Sequence, residues 1–385
     1  MLKITFIATN EWVRWGGSEY CWAAAAERLS RRGTEVRVSF KCWDKPVKEI
    51  ESLRSARCQI FYRRPFSLIS RVARKILPLP EYTQKHLHLV ANGVDLVVIS
   101  HSSFSESLPW IDAVRRTGSQ YAIIVQGASE TMWPSDEVLE KLSPGFDNAA
   151  RAYFVSEANL NLFRRQLGIP LRNGRVIRNP FNVRYNAQPP WPGDPSDQLS
   201  LACVARLDII QKGQDLLVDV LSLRHWRDRN IRVVLAGNGP NEQSLRRMVE
   251  ISKLPNIEFA GLVHDIEGLW AQHHALLLPS RFEGMPLVLV EAMLCGRAAI
   301  VTDVAGNREV VRDGVNGFLA KAATMQALDE VMNRAWENRS QLQTMGERAA
   351  SDIRRWVTAD PTEDLVSELT TLVDGHMTRG YDSRR

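Results

Sequence analysis

Two glutamates, Glu283 and Glu291, stand eight positions apart in the stretch RFEGMPLVLVEAM, residues 281–293. The strand-like run HALLLPS precedes it and ends at Pro279-Ser280. Arg281 to Gly284 then read as a strand-to-helix turn. Pro286 suits the first helical position, where a missing N–H costs little. The backbone N–H groups of Gly284, Met285 and Leu287 would lie at the positive end of the helix, which suits an oxyanion. Glu283 would stand at the mouth of that site. Glu291 would lean back toward it from among Val288, Leu289, Val290, Ala292 and Met293. A carboxylate in such company needs a partner, and paired hydroxyls such as a ribose diol would serve. Two carboxylates at different depths around an anion site suit a ligand with a sugar at one end, phosphates in the middle and a ribose at the other. Taken alone, the stretch also suits an ordinary helix with a dipole-favoured glutamate near its start.

Further residues point the same way. VARLDIIQKGQDLL carries Arg206 just after a strand and Lys212 near the next helix start, and both would offset a diphosphate. EFAGLVHD places Gly261 after a strand, where a base edge could meet backbone near Val263. In the first half, Gly16 and Gly17 allow close backbone approach, and Ser18 reads as the cap of a helix; this is a second candidate anion contact. Trp12 and Trp15 flank Arg14 beside that turn, and an indole at Trp15 or Trp133 could stack on an acceptor sugar. Gln126, in YAIIVQG, and His101, after DLVVIS, could reach the same acceptor side.

These residues need a scaffold that brings strand ends together. Short apolar runs at 2–8, 34–40, 95–100, 121–127 and 151–156 alternate with helical or loop sequence. QPPWPGDPSDQ then reads as a linker, and the alternation restarts from residue 199. The pattern predicts an α/β protein of two doubly wound, Rossmann-like domains facing across a cleft. The domains are expected at 1–185 and 199–358, with a linker at 186–198 and a C-terminal helix near 360–375 packing back on the first.

The bulk numbers exclude more than they assign. A length of 385 residues suggests about two domains. A net charge of +5 falls short of a nucleic-acid footprint, so none is expected as a partner. Five cysteines without close spacing suggest a reduced, cytoplasmic protein. The segment 61–77 mixes arginines with apolar residues, so peripheral contact with an anionic membrane surface is a further expectation. The absence of GxGxxG after the first strand argues against an NAD-dependent oxidoreductase.

Glu283–Glu291 as an E-x7-E element, RLD…KG at 206–213, GGSE at 16–19 and DVAGNREVVRDGVNGFLA at 303–320 together resemble the retaining glycosyltransferases of family 4, with the GT-B fold. The likeness is dense over roughly 200–320 and thinner before residue 180. It implies transfer from a UDP- or GDP-sugar to a glycan, lipid-linked or small-molecule acceptor, in polysaccharide or glycoconjugate synthesis. By that resemblance Glu283, Arg206 and Lys212 act at the reacting centre. Glu291 holds the ribose, while Gly284, Met285, Leu287, Gly16, Gly17, Gly261 and Val263 line the donor. It also implies no cofactor and no required metal, and the chain has no Asp-x-Asp triplet. Many relatives carry a histidine where this chain has Gln126, which binds a hydroxyl but takes no proton. A nucleotide-sugar epimerase and a non-catalytic nucleotide-sugar-binding module are the alternative readings.

Overall fold

The computed structural model describes residues 1–11, 13–63 and 80–382. The chain forms two units, Met1–Pro180 with Asp360–Arg385, and Phe181–Ala359.

The first unit is built on seven strands: β1 (Lys3–Ala8), β2 (Glu35–Lys41), β3 (Gln59–Arg63), β4 (Leu96–His101), β5 (Tyr121–Val125), β6 (Arg151–Phe154) and β7 (Gly174–Val176). Their order is β3-β2-β1-β4-β5-β6-β7, and every pairing is parallel. A parallel sheet covered on both faces needs near-continuous apolar strands, and β4 and β5 are buried throughout. The helix Gly17–Arg31 packs on one face through Trp22, Ala25, Ala26 and Leu29. The C-terminal helix Pro361–Asp382 joins the same core through Leu365, Val366, Leu369 and Val373. Its entry is fixed by Arg32, whose guanidinium donates to both oxygens of Glu363 at 2.7 and 2.8 Å.

The second unit has six strands: β8 (Leu199–Val204), β9 (Ile231–Ala236), β10 (Ile257–Gly261), β11 (Ala275–Leu278), β12 (Ala298–Thr302) and β13 (Gly317–Ala320). The order is β10-β9-β8-β11-β12-β13, again all parallel. Chain direction across the sheet reverses between β8 and β11. Ligands of doubly wound sheets bind beyond the strand ends at such a point.

The structure departs from sequence expectation at identifiable places. β3, β7 and β13 are short outer strands of five, three and four residues, too brief for a periodic signal. The break between units falls after Pro180, not Tyr185, and residues 186–198 are part of the second unit. Proline-rich sequence reads as a linker, but two arginines tie it down. Arg297 donates to the Pro189 and Pro190 carbonyls at 3.3 and 2.6 Å, and Arg354 to Tyr185 and Ala187 at 3.0 and 3.3 Å. Arg297 is buried with no carboxylate partner among the described residues, and burial lowers its pKa to about 10. The expected membrane segment 61–77 begins inside β3: Arg63 is buried and donates to Ser39 at 2.9 Å and to the Ala8 carbonyl at 2.5 Å. Its remainder, 64–77, lies outside the described residues, as does Trp12.

Candidate functional site

The loop after β8 carries Arg206 and is held from behind by the turn after β9. Gly237 has φ +143°, and a Cβ there would lie 2.1 Å from the Ala205 carbonyl oxygen. One at Gly239 would lie 2.4 Å from that of Leu207. Only glycines let that turn press so close. Asp208 caps the short helix Ile209–Lys212, accepting from the Gln211 N–H, and also pairs with Arg206 at 2.5 Å. The helix stops at Gly213, which has φ +66°; a Cβ there would meet the Pro279 carbonyl oxygen at 2.2 Å. The end of β11 and the end of this helix are therefore in backbone contact.

That contact aims Lys212 at Glu283. The Lys212 ammonium lies 2.6 Å from Glu283 Oε1, which also accepts from the Ser280 hydroxyl at 2.7 Å. Glu283 is 4% exposed and Ser280 fully buried. Thr302 of β12 donates to the Ser280 carbonyl at 2.5 Å. Arg281 closes the arrangement, with both terminal nitrogens 2.7 Å from Asp215 and a third bond of 2.7 Å to the Ile209 carbonyl. Lys212 and Glu283 thus satisfy each other instead of standing open side by side. Removing one partner of such a pair leaves a buried charge, at a cost of about 3–5 kcal/mol.

The following helix runs from Leu287 to Leu294. Pro286 is its cap, one position earlier than expected; its ψ of 122° keeps it outside the helix. The Gly284 carbonyl accepts from the Gly306 N–H at 3.1 Å, Met285 is buried, and Leu287 is the first helical residue. Glu291 is 4% exposed, and burial raises its pKa. Its partner comes from the chain itself: Asn182 donates its backbone N–H and its side-chain amide to Oε1, at 2.8 and 2.9 Å. At the end of β10, the Gly261 carbonyl accepts from the Gly237 N–H at 2.7 Å. Val263 lines a cavity of about 320 Å³ together with Arg232, Glu258 and His273.

In the first unit several expected contacts are otherwise engaged. Gly16, not Ser18, caps the helix Gly17–Arg31. Its N–H donates to Glu19 at 3.0 Å, and Glu19 also accepts from Ser18 at 2.6 Å and Asn10 at 3.0 Å. Of the glycine pair, Gly16 has therefore already spent its N–H on a buried carboxylate. Trp15 is packed against Tyr20, Trp22 and Phe40, with centroids 5.8–6.0 Å apart, so it belongs to the core instead of a sugar platform. His101 sits among Phe104, Phe146 and Phe163, and burial lowers its pKa to about 3. It is a neutral packing residue, not an acceptor contact. Gln126 accepts from Asn179 at 2.8 Å and also meets the buried Cys21 thiol. Trp133 is half exposed, its indole N–H donated to the Glu130 carbonyl at 2.9 Å.

Sequence reasoning missed Ser280, Arg281 with Asp215, Glu19 and Asn182. Glu19 had a local signal, since a glutamate three residues after a cap marks a capping box. The Arg281–Asp215 and Asn182–Glu291 pairs span 66 and 109 residues, and no local pattern reports them. Among the described residues, no group of three or more His, Cys, Asp or Glu side chains is placed to hold a metal ion. No described helix is long and apolar enough to cross a membrane.

Residues 198–338 match the family described as Glycosyl transferases group 1. An uncharacterised glycosyltransferase of Methanocaldococcus jannaschii is 32% identical over 139 residues, 36% of this chain and 38% of that protein. The O-antigen chain mannosyltransferase C of Escherichia coli is 30% identical over 169 residues, 42% of this chain and 44% of that protein. The chain spans less than half the length of these curated relatives. Likeness of fold extends further. Anabaena HepE, solved with UDP-glucose, superposes with a TM-score of 0.73 over 96% of this chain and 100% of that one, at 20% identity. Two parallel-sheet α/β units are thus the fold of this chain, a fold shared with a solved glycosyltransferase of Rickettsia africae at a TM-score of 0.72 and 15% identity.

Proposed function

We propose that this protein is a glycosyltransferase, moving a sugar from a nucleoside-diphosphate sugar to a glycan, lipid-linked or small-molecule acceptor with retention of configuration. The observation that carries the reading is the Lys212–Glu283 pair beside Arg206, at the β8/β11 reversal of the second unit. The family match over the same residues supports it. So does the HepE structure, whose ligand is UDP-glucose.

The chemistry follows from the charges. As the bond from the anomeric carbon to the phosphate breaks, the sugar gains oxocarbenium character and the diphosphate gains negative charge. Arg206, Lys212 and the N–H groups leading into the helix Leu287–Leu294 would stabilise the departing diphosphate. They supply charge that a metal supplies elsewhere, so no metal is required in this reading. Glu283 accepts from sugar hydroxyls and keeps Lys212 oriented. Glu291 contacts the ribose.

Thermal melting with UDP and GDP, with and without EDTA, tests this on wild type and Glu291→Ala. A ligand at a hundred times its dissociation constant stabilises by about 2.7 kcal/mol. One nucleotide is expected to raise the midpoint equally with EDTA, and Glu291→Ala to abolish the rise. No shift with either nucleotide would sink the donor-site reading.

A further inference from the structure

We infer that Asn182 positions Glu291 for the ribose of the nucleotide, and that it makes the site prefer ribonucleotides over 2′-deoxyribonucleotides. This rests on the reading of Glu291 as the ribose contact.

Asn182 is the second residue of the second unit, 109 positions from its partner. Both of its donors go to one oxygen, Oε1, at 2.8 and 2.9 Å. Oε2 accepts no hydrogen bond from the described residues, which leaves that oxygen for an incoming hydroxyl. One carboxylate oxygen is thereby tied to the protein and the other is held in a fixed direction. The donors themselves are moored. Two residues on, the Arg184 N–H donates to Glu267 at 2.8 Å, and its guanidinium reaches Oε1 of Glu267 at 3.1 Å and Oε2 at 2.6 Å. Tyr185 donates its hydroxyl to the Arg354 carbonyl at 2.8 Å. The short segment carrying Asn182 is thus bonded to two helices of its own unit.

Among the described residues, Glu291 has no cation to hold its charge. Desolvation raises its pKa, and only the two Asn182 bonds work against that. The titratable group nearest it along the chain is Cys295, which caps the same helix; burial pushes its thiol up to about 12, and it stays protonated. From the packed helix Leu342–Trp356, Arg354 turns to the Leu294 carbonyl at 2.9 Å. β11 and β12, also against this helix, carry no charged residue. Arg184 and Glu267 neutralise each other. Asn182 is therefore what favours the ionised carboxylate, which is the better acceptor of a 2′-hydroxyl.

The sign of the pH dependence follows. Preference for the ribo form grows as pH rises through the pKa of Glu291. Removing the Asn182 amide moves that growth to higher pH. A second carboxylate, in Asn182→Asp, moves it further.

The test is calorimetric titration of the full chain with UDP and 2′-deoxy-UDP, and with GDP and 2′-deoxy-GDP, from about pH 5 to about pH 9. Taking the ratio of dissociation constants within each pair cancels titration of the diphosphate, which both members share. A hydrogen bond to a charged group corresponds to roughly a tenfold to hundredfold ratio in wild type. Asn182→Ala is expected to lower the ratio severalfold near neutral pH and shift its rise upward. Asn182→Asp is expected to do so more strongly, and Asn182→Ser to restore part of the ratio. An unchanged 2′-deoxynucleotide constant in each variant shows that the site is folded. If Glu291→Ala collapses the ratio while Asn182→Ala and Asn182→Asp keep the wild-type ratio and profile, the inference falls and the ribose reading stands. If Glu291→Ala leaves the ratio unchanged, or wild type shows a ratio near one, the ribose reading falls and takes the inference with it.

Discussion

The two sheets share a strand order through six positions, yet their switch-point edges carry opposite chemistry. At β8/β11 the second unit presents Arg206, Lys212 and Arg281, each paired with a carboxylate. At β1/β4 the first unit presents hydroxyls and acids. Thr9 bonds the Ser100 carbonyl at 2.7 Å and the hydroxyls of Ser102 and Ser107 at 3.0 and 2.9 Å. Ser102 donates to Glu106 at 2.5 Å, and burial raises the pKa of both Glu106 and Glu19. Phosphates belong with the first kind of edge. A hydroxyl-bearing ligand suits the second. Function here lies in the side chains grafted on a repeated scaffold, not in the scaffold.

The largest expected effect of breaking this contrast is at Lys212. In the proposed transfer, Lys212→Ala removes a fixed cation from the departing diphosphate, and turnover is expected to fall by about 10²–10³-fold. The same change strands Glu283, so the urea midpoint of the second unit drops as well, by about 3 kcal/mol in unfolding free energy. Retention of turnover, measured as nucleoside diphosphate release, would remove the cationic edge from the mechanism.

A smaller effect separates two glycines with similar backbone angles. Gly213 in the second unit and Gly33 in the first have φ of +66° and +90°. A Cβ at Gly33 meets nothing within 4 Å, whereas one at Gly213 strikes Pro279. Gly33→Ala should cost roughly 1–2 kcal/mol for the left-handed conformation alone. Gly213→Ala should cost more and should also raise the dissociation constant for UDP, because it parts Lys212 from Glu283. Equal midpoints for the two variants would show that the Gly213 contact yields.

The smallest effect on turnover is expected at His101. Its folded pKa, near 3, lies below the ordinary value of 6.5. The unfolded chain therefore binds a proton that the folded chain refuses as pH falls below 6.5. Stability from this residue is complete above that value and is lost progressively down to about 3. His101→Phe should keep turnover unchanged and flatten this part of the acid limb in a series of urea titrations. A lost turnover would restore His101 to the acceptor side.

Legibility followed distance along the chain. Glu283, Gly284 and Glu291 lie within nine residues, and their turn and helix could be read as one local unit. The placement of Arg206 after a strand and of Lys212 beside a helix start was readable for the same reason. Trp15 and His101 were not. An aromatic or imidazole side chain at a strand end looks alike whether it faces solvent or Phe163, and only packing decides. The proline-rich run 186–198 misled because prolines block regular structure, while the arginines that anchor it come from about a hundred and more residues later.

The sequence by itself determined the alternation of strand and helix, the α/β class and the local carboxylate, cation and glycine positions, because periodicity and turn chemistry act over a few residues. The tertiary structure decided which charges meet. Lys212 reaches Glu283 across 71 residues and Asn182 reaches Glu291 across 109. Those pairings exist only because a parallel sheet gathers distant strand ends along one edge, where desolvation makes each partner necessary.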